Sequence, residues 1–192
     1  MIYLPLYSSQ GRLHVPNKSG LNQWNAHGRP RNFDEVYIPI PIRVHDTFPG
    51  FLPARDTHFA LILPNDRILI AKVCQDNSKA LMSHPNSDLG EWILRYVLGL
   101  QPGTLATYPM LVSAQIDSVC ITRLNIHDNV LMSQLATDMD TIFRTRNHNI
   151  FNVSGRNKLS DYEIYHIFQN IVNRRLYYRI DVAPFGSYQN QF

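Results

Sequence analysis

Two aliphatic runs separated by a tight turn constrain this chain most. Residues 58–63, HFALIL, and 67–74, RILIAKVC, flank Pro64, Asn65 and Asp66. Both arms are rich in β-branched and aliphatic residues, so they read as the two strands of a β-hairpin. Further β-prone runs surround them: IYLPLY at residues 2–7, EVYIPIP at 35–41, a short KALM at 79–82 and DSVCITRLNI at 117–126. Pro39 and Pro41 cannot donate to a ladder, which places the second of these at a sheet edge.

Helical signals are fewer at first. A turn is expected near residues 43–48. Asp88 is positioned to cap LGEWILRYVLGL, with Leu89, Trp92, Ile93 and Tyr96 on one face and QPG as the stop. The last third changes character. Residues 129–144 carry Leu131, Leu135, Met139 and Ile142 near helical spacing. Beyond them, Ser160 and Glu163 form a capping box, Leu159 and Ile164 a hydrophobic staple, and Ile164, Ile167, Phe168 and Ile171 an apolar stripe. These patterns divide the chain into a β-rich domain over residues 1–126 and a helical extension over 127–192.

Little in the sequence points to catalysis. No two of the eight histidines lie four apart, and Cys74 and Cys120 sit singly in apolar runs, where buried, reduced thiols are expected rather than a zinc site. The three glutamates, Glu35, Glu91 and Glu163, each have a structural explanation, and Asp138 and Asp140 point to different sides of a helix. Phosphate-binding and dinucleotide fingerprints are missing. No stretch reaches the ~18 consecutive apolar residues of a membrane span, and no secretory signal core opens the sequence. The chain therefore reads as a cytoplasmic, non-enzymatic domain with no metal and no cofactor of its own.

The net charge is only +3, but its distribution is uneven: Arg12, Lys18, Arg29 and Arg31 all precede the first acid, Asp34. That basic excess coincides with an unusual loop, SGLNQWNAHGRPRN, in which Asn22, Gln23, Asn25, His27, Arg29, Arg31 and Asn32 crowd around Trp24. Arginine can bridge the two acceptors of guanine and Asn or Gln those of adenine, whereas Lys18 suits phosphate. A second polar loop carries Gln75, Asp76, Asn77, Lys79, Ser83, His84 and Asn86. Its Asp76 would repel phosphate yet can accept from a cytosine amino group. Polar loops are also the default on any surface, and a protein- or sugar-binding β-domain, or a nuclease with an unrecognised site, are the alternatives these residue types allow.

The succession SGLNQW, GRPRN, EVYIPIP, AKVCQDNSKALMS and NSDLGEWILRYVLGL resembles the DNA-binding domain of NgoFVII- and BfiI-type restriction endonucleases, over residues 19–125. The resemblance implies a β-rich α+β fold, an open seven-stranded B3-like pseudobarrel with two short helices, related to the N-terminal effector domains of EcoRII-like and UbaLAI-like enzymes. Such domains grip double-stranded DNA in the major groove with an N-arm and a C-arm. Gly20, Leu21, Asn22, Trp24, Arg29, Arg31, Asn32 and Glu35 fall on the N-arm pattern. Gln75, Asn77, Lys79 and Ala80 fall on the C-arm pattern. The sequence departs from the family at 23–27 and has Asp76, Asn77 and Ser78 where the family has Asn-Gly. The resemblance also implies the target-recognition or effector part of a monomeric bacterial type II restriction enzyme. Its Mg²⁺-dependent catalytic domain would be attached beyond residue 192. Trp24 is expected to brace the arm rather than stack on bases.

Overall fold

The computed structural model describes residues 1–125, 137 and 161–192. Seven strands form one sheet: β1 (Ile2–Pro5), β2 (Ile38–Pro39), β3 (His58–Ile62), β4 (Ile68–Cys74), β5 (Ala80–His84), β6 (Ile116–Arg123) and β7 (Tyr177–Pro184). Their order is β1-β6-β7-β3-β4-β5-β2. The two end strands, β1 and β2, approach one another, so the sheet curls into a nearly closed barrel. Every pairing is antiparallel except β3 with β7.

The expected hairpin is β3–β4, in register from His58↔Lys72 to Ile62↔Ile68. Its turn is closed by Leu63 N–H to Arg67 O at 2.9 Å and Asp66 N–H to Leu63 O at 2.9 Å. Phe59, Leu61, Leu69, Ala71 and Val73 are all buried here, together with Ile2 and Leu4 of β1, Leu81 of β5 and Val119 and Ile121 of β6. β2 is a short edge strand, as its prolines require. Cys74 and Cys120 are free thiols in β4 and β6, the first buried and the second half-buried.

Helix α1 (Ile42–Thr47) follows β2. Helix α2 starts as one α-turn, Asp88–Gly90, and continues with π geometry over Glu91–Val97. A third short helix, α3 (Tyr108–Ser113), was not anticipated; it opens with a proline in its first turn, where a missing N–H costs nothing. Two details of α2 differ from expectation. Asp88 lies inside the first turn, and Leu89 N–H instead donates to Ser83 Oγ at 2.9 Å. Tyr96 is solvent-exposed, because i→i+5 bonding such as Leu98 N–H to Ile93 O (3.0 Å) rotates it away from the apolar face.

The final third needs the larger correction. Helix α4 (Asp161–Arg174) turns three residues of the expected stripe inward, with Ile171 buried and Ile167 and Phe168 packed on the core. The next residues were expected to remain helical, yet they form β7, inserted between β6 and β3. Residues 177–184 are therefore part of the barrel, not of a helical extension. Exposed Arg179 and Asp181 alternate with buried Ile180 and half-buried Val182, the pattern of a half-covered strand. Apart from Thr137, the helix expected over 129–144 lies outside the described residues, as do the Ser160 and Leu159 contacts.

Candidate nucleic-acid interface

The loop between β1 and β2 is fastened at several points before it presents anything to solvent. Gly20 adopts φ +60°, a region open to glycine at little cost, and its carbonyl accepts from Tyr37 N–H at 3.2 Å. Asn22 has no solvent exposure. Its Nδ2 donates to Pro16 O (3.0 Å) and Ala106 O (2.9 Å), and its Oδ1 accepts from Ala106 N–H (2.9 Å). This places Asn22, one of the residues expected to read bases, in a wholly structural position: every strong direction of its amide serves the backbone. Trp24 packs edge-to-face on Phe33 with ring centroids 5.4 Å apart.

The outer part of the loop holds the charged groups. Lys18 Nζ donates to His27 Nε2 at 2.7 Å, both side chains being exposed. Asn25 Nδ2 donates to Asn17 O at 2.9 Å, and Asn32 Oδ1 accepts from Asp34 N–H at 2.9 Å. Gln23 is half-buried. Arg29 and Arg31 converge on Glu35. Arg29 Nη1 and Nη2 donate to its two oxygens at 2.9 and 2.7 Å, and Arg31 Nη1 adds a third bond at 3.2 Å. Burial pushes the Glu35 carboxyl up, but the hydrogen bonds and charges of the two arginines outweigh it and hold the group below its ordinary value. Arg31 also donates to Ala26 O at 3.3 Å and keeps only 14% of its side chain exposed, against 50% for Arg29.

At its root the loop rests on α2. Arg95 Nε donates to Asp34 Oδ1 at 2.7 Å and Nη2 to Phe33 O at 3.1 Å, while Nη1 holds Leu100 O at 2.7 Å. Gly90 comes so close that a Cβ there would stand 1.8 Å from Asp34 O. Neither Arg95 nor Gly90 stands out from composition, although a glycine inside a helix is itself a mark of close packing.

The second polar segment divides in two. The turn joining β4 to β5 carries Gln75, Asp76, Asn77 and Lys79. Three of its non-glycine residues have positive φ: Gln75 (66°), Asn77 (59°) and Ser78 (54°). Asp76 is 89% exposed and meets Arg55 Nη1 at 3.1 Å; Arg55 also touches Asp56 (3.3 Å), which Lys72 approaches at 3.2 Å. Lys79 is exposed, while its carbonyl accepts from Ile40 N–H at 2.8 Å, and His45 Nε2 bonds Ser78 O at 3.0 Å. Ser83, His84 and Asn86 are not in this turn. They lie at the other end of β5, beside the root of the first loop. Ser83 is fully buried, accepting from Leu89 N–H and donating to Pro85 O at 2.8 Å, a structural role in place of the expected DNA contact. His84 packs edge-to-face on His58 at 5.8 Å.

Among the described residues, no three His, Cys, Asp or Glu side chains cluster closely enough to hold a metal ion, and no helix is long and apolar enough to cross a membrane. A nearly closed seven-stranded barrel with two polar loops at its β2/β5 edge is the architecture of a B3-like DNA-binding pseudobarrel. The family model of the NgoFVII C-terminal B3-like DNA-binding domain matches residues 4–118, and the chain belongs to this family of restriction-endonuclease DNA-binding domains. No curated protein matches it. The matched region ends inside β6, so α4 and β7 lie beyond it.

Proposed function

We propose that this chain is the target-recognition or effector domain of a type II restriction endonuclease, reading duplex DNA sequence-specifically with two major-groove arms. The first loop is the N-arm and the 75–79 turn is the C-arm. One observation carries this reading. The C-arm enters β5 at Ala80, whereas the root of the N-arm, Asp34, rests on Gly90 of α2, a helix bonded through Leu89 N–H to Ser83 at the far end of this five-residue strand. A five-residue strand separates its ends by about 14 Å, comparable with the ~12 Å width of the major groove. Two jaws so spaced straddle what they must enter.

The chemistry supports the same reading. On the N-arm, Lys18, Gln23, Asn25, His27 and Asn32 supply phosphate and base-edge groups. On the C-arm, Gln75, Asn77 and Lys79 donate and Asp76 accepts. The Asp76–Arg55 pair is exposed at both partners, so it holds Asp76 weakly and yields it readily to a cytosine amino group. Positive φ at Gln75, Asn77 and Ser78 stores about 1 kcal/mol or more per residue, a cost found most often at functional turns. The domain acts as a monomer on DNA, and an attached nuclease domain supplies the Mg²⁺-dependent cleavage.

Fluorescence anisotropy with labelled duplexes of randomised five- to seven-base-pair centres, at two salt concentrations, tests this. A subset bound far more tightly, with affinity falling as salt rises, is the expected result. Weak, uniform binding abolished by modest salt would reduce the arms to a sticky basic surface.

A further inference from the structure

Within the N-arm, the donors of one arginine can be counted. A guanidinium has five N–H donors in fixed directions. In Arg29, Nη1 and Nη2 each give one to Glu35, at 2.9 and 2.7 Å, and the second Nη1 hydrogen goes to Pro30 O at 3.0 Å. Two donors remain, Nε–H and the outer Nη2–H. Neither has a partner among the described residues, and they lie parallel on one edge of the plane. The side chain that carries them is 50% exposed.

We infer that Arg29 reads a guanine through this Nε/Nη2 edge, accepted by N7 and O6, and that Glu35 is its positioning residue. Resting as it does on the two-arm reading, the inference separates the two arginines that the sequence treats alike. Arg31, 14% exposed and spent on Glu35 and Ala26 O, braces the carboxylate. Glu35, buried at 8% exposure, grips Arg29 from behind by the edge facing away from DNA. The gripped arginine loses little rotamer freedom on binding, and its remaining edge matches the two acceptors that a guanine offers in the major groove. A backbone phosphate would also accept from such an edge, but it would not discriminate between sequences.

The test uses the full chain and the duplex it selects best. Each guanine of that duplex is replaced in turn by 7-deazaguanine, which removes N7 and keeps the base pair. At one position the wild-type protein should lose roughly 5- to 100-fold in affinity. Arg29→Ala should bind the natural duplex correspondingly weakly and be indifferent to that replacement. Glu35→Gln should lose most of the same discrimination while holding random duplexes at least as well as wild type, since one negative charge is gone. A merely structural glutamate would instead weaken all duplexes alike.

Equal loss by Arg29→Ala on selected and random duplexes makes Arg29 a phosphate contact and overturns the inference, as does insensitivity to every 7-deazaguanine. Discrimination retained in full by Glu35→Gln removes the positioning role. Should Glu35→Gln melt early, the half-exposed Arg29 variant decides alone. A wild-type protein with no preferred duplex would defeat the two-arm reading itself, an outcome visible before any variant is made.

Discussion

Asn22 and His58 are both polar side chains that the fold has drawn inward, with opposite consequences. The Asn22 amide carries the donors and acceptor that suit adenine, and those same groups suit a peptide unit. Residue type therefore placed it among base readers, while burial assigns it to Ala106; nothing local distinguishes the two uses. The same holds for Ser83. Arg29 and Lys79, by contrast, are exposed, as long cations ordinarily are. His58 finds no such compensation: its Nε2 is buried without a partner. Burial above all, with repulsion from His84 and Lys72, pushes its pKa down to about 4; Asp56 opposes this weakly. Burial lowers His84 too. An unfolded imidazole gains its proton near 6.5, so between 6.5 and about 4 the unfolded chain binds more protons and stability falls as pH falls. The full shift corresponds to about 3 kcal/mol, and partial solvent access reduces the expected loss to about 1–2 kcal/mol. Denaturation at pH 7 and pH 5 should show much of it, and His58→Phe should flatten the slope. The lowered carboxyls of Glu35 and Asp56 act only at more acid pH.

Elements with strong local patterns were the legible ones. The β3–β4 hairpin, the β2 edge and the apolar stripe of α4 follow from alternation, proline placement and helical spacing. The loop before β2 was legible as polar, but its fastening was not, because that comes from α2. Gly90 lets the helix touch Asp34 O, and Arg95 then reaches over to Asp34 and Phe33. Gly90→Ala would drive a methyl into backbone on which neither side can yield, so the helix must lift from the arm. A loss of about 3 kcal/mol or more is expected in urea denaturation. Weakened DNA affinity should accompany it, since the loop resting on Gly90 would shift. A variant retaining wild-type stability would show the contact to be loose.

At the scale of the whole molecule, the sheet depends on a strand that local patterns hid. LYY continued the helical run before it, and the alternation from Arg179 to Val182 is short. Its parallel partnership with β3 joins residues more than a hundred positions apart, for which no local signal exists. A chain ended at residue 126 would leave β6 and β3 each without a neighbour in the middle of the sheet. It is expected to show no cooperative thermal transition by circular dichroism; a sharp transition would prove the first 126 residues self-sufficient. The placement of β7 also sets a timetable. On the ribosome, both polar loops are made long before β7, the strand that joins β6 to β3. A nascent chain would thus hold these loops on an unfinished frame, and the barrel beneath them would be complete only once residues 177–184 emerge.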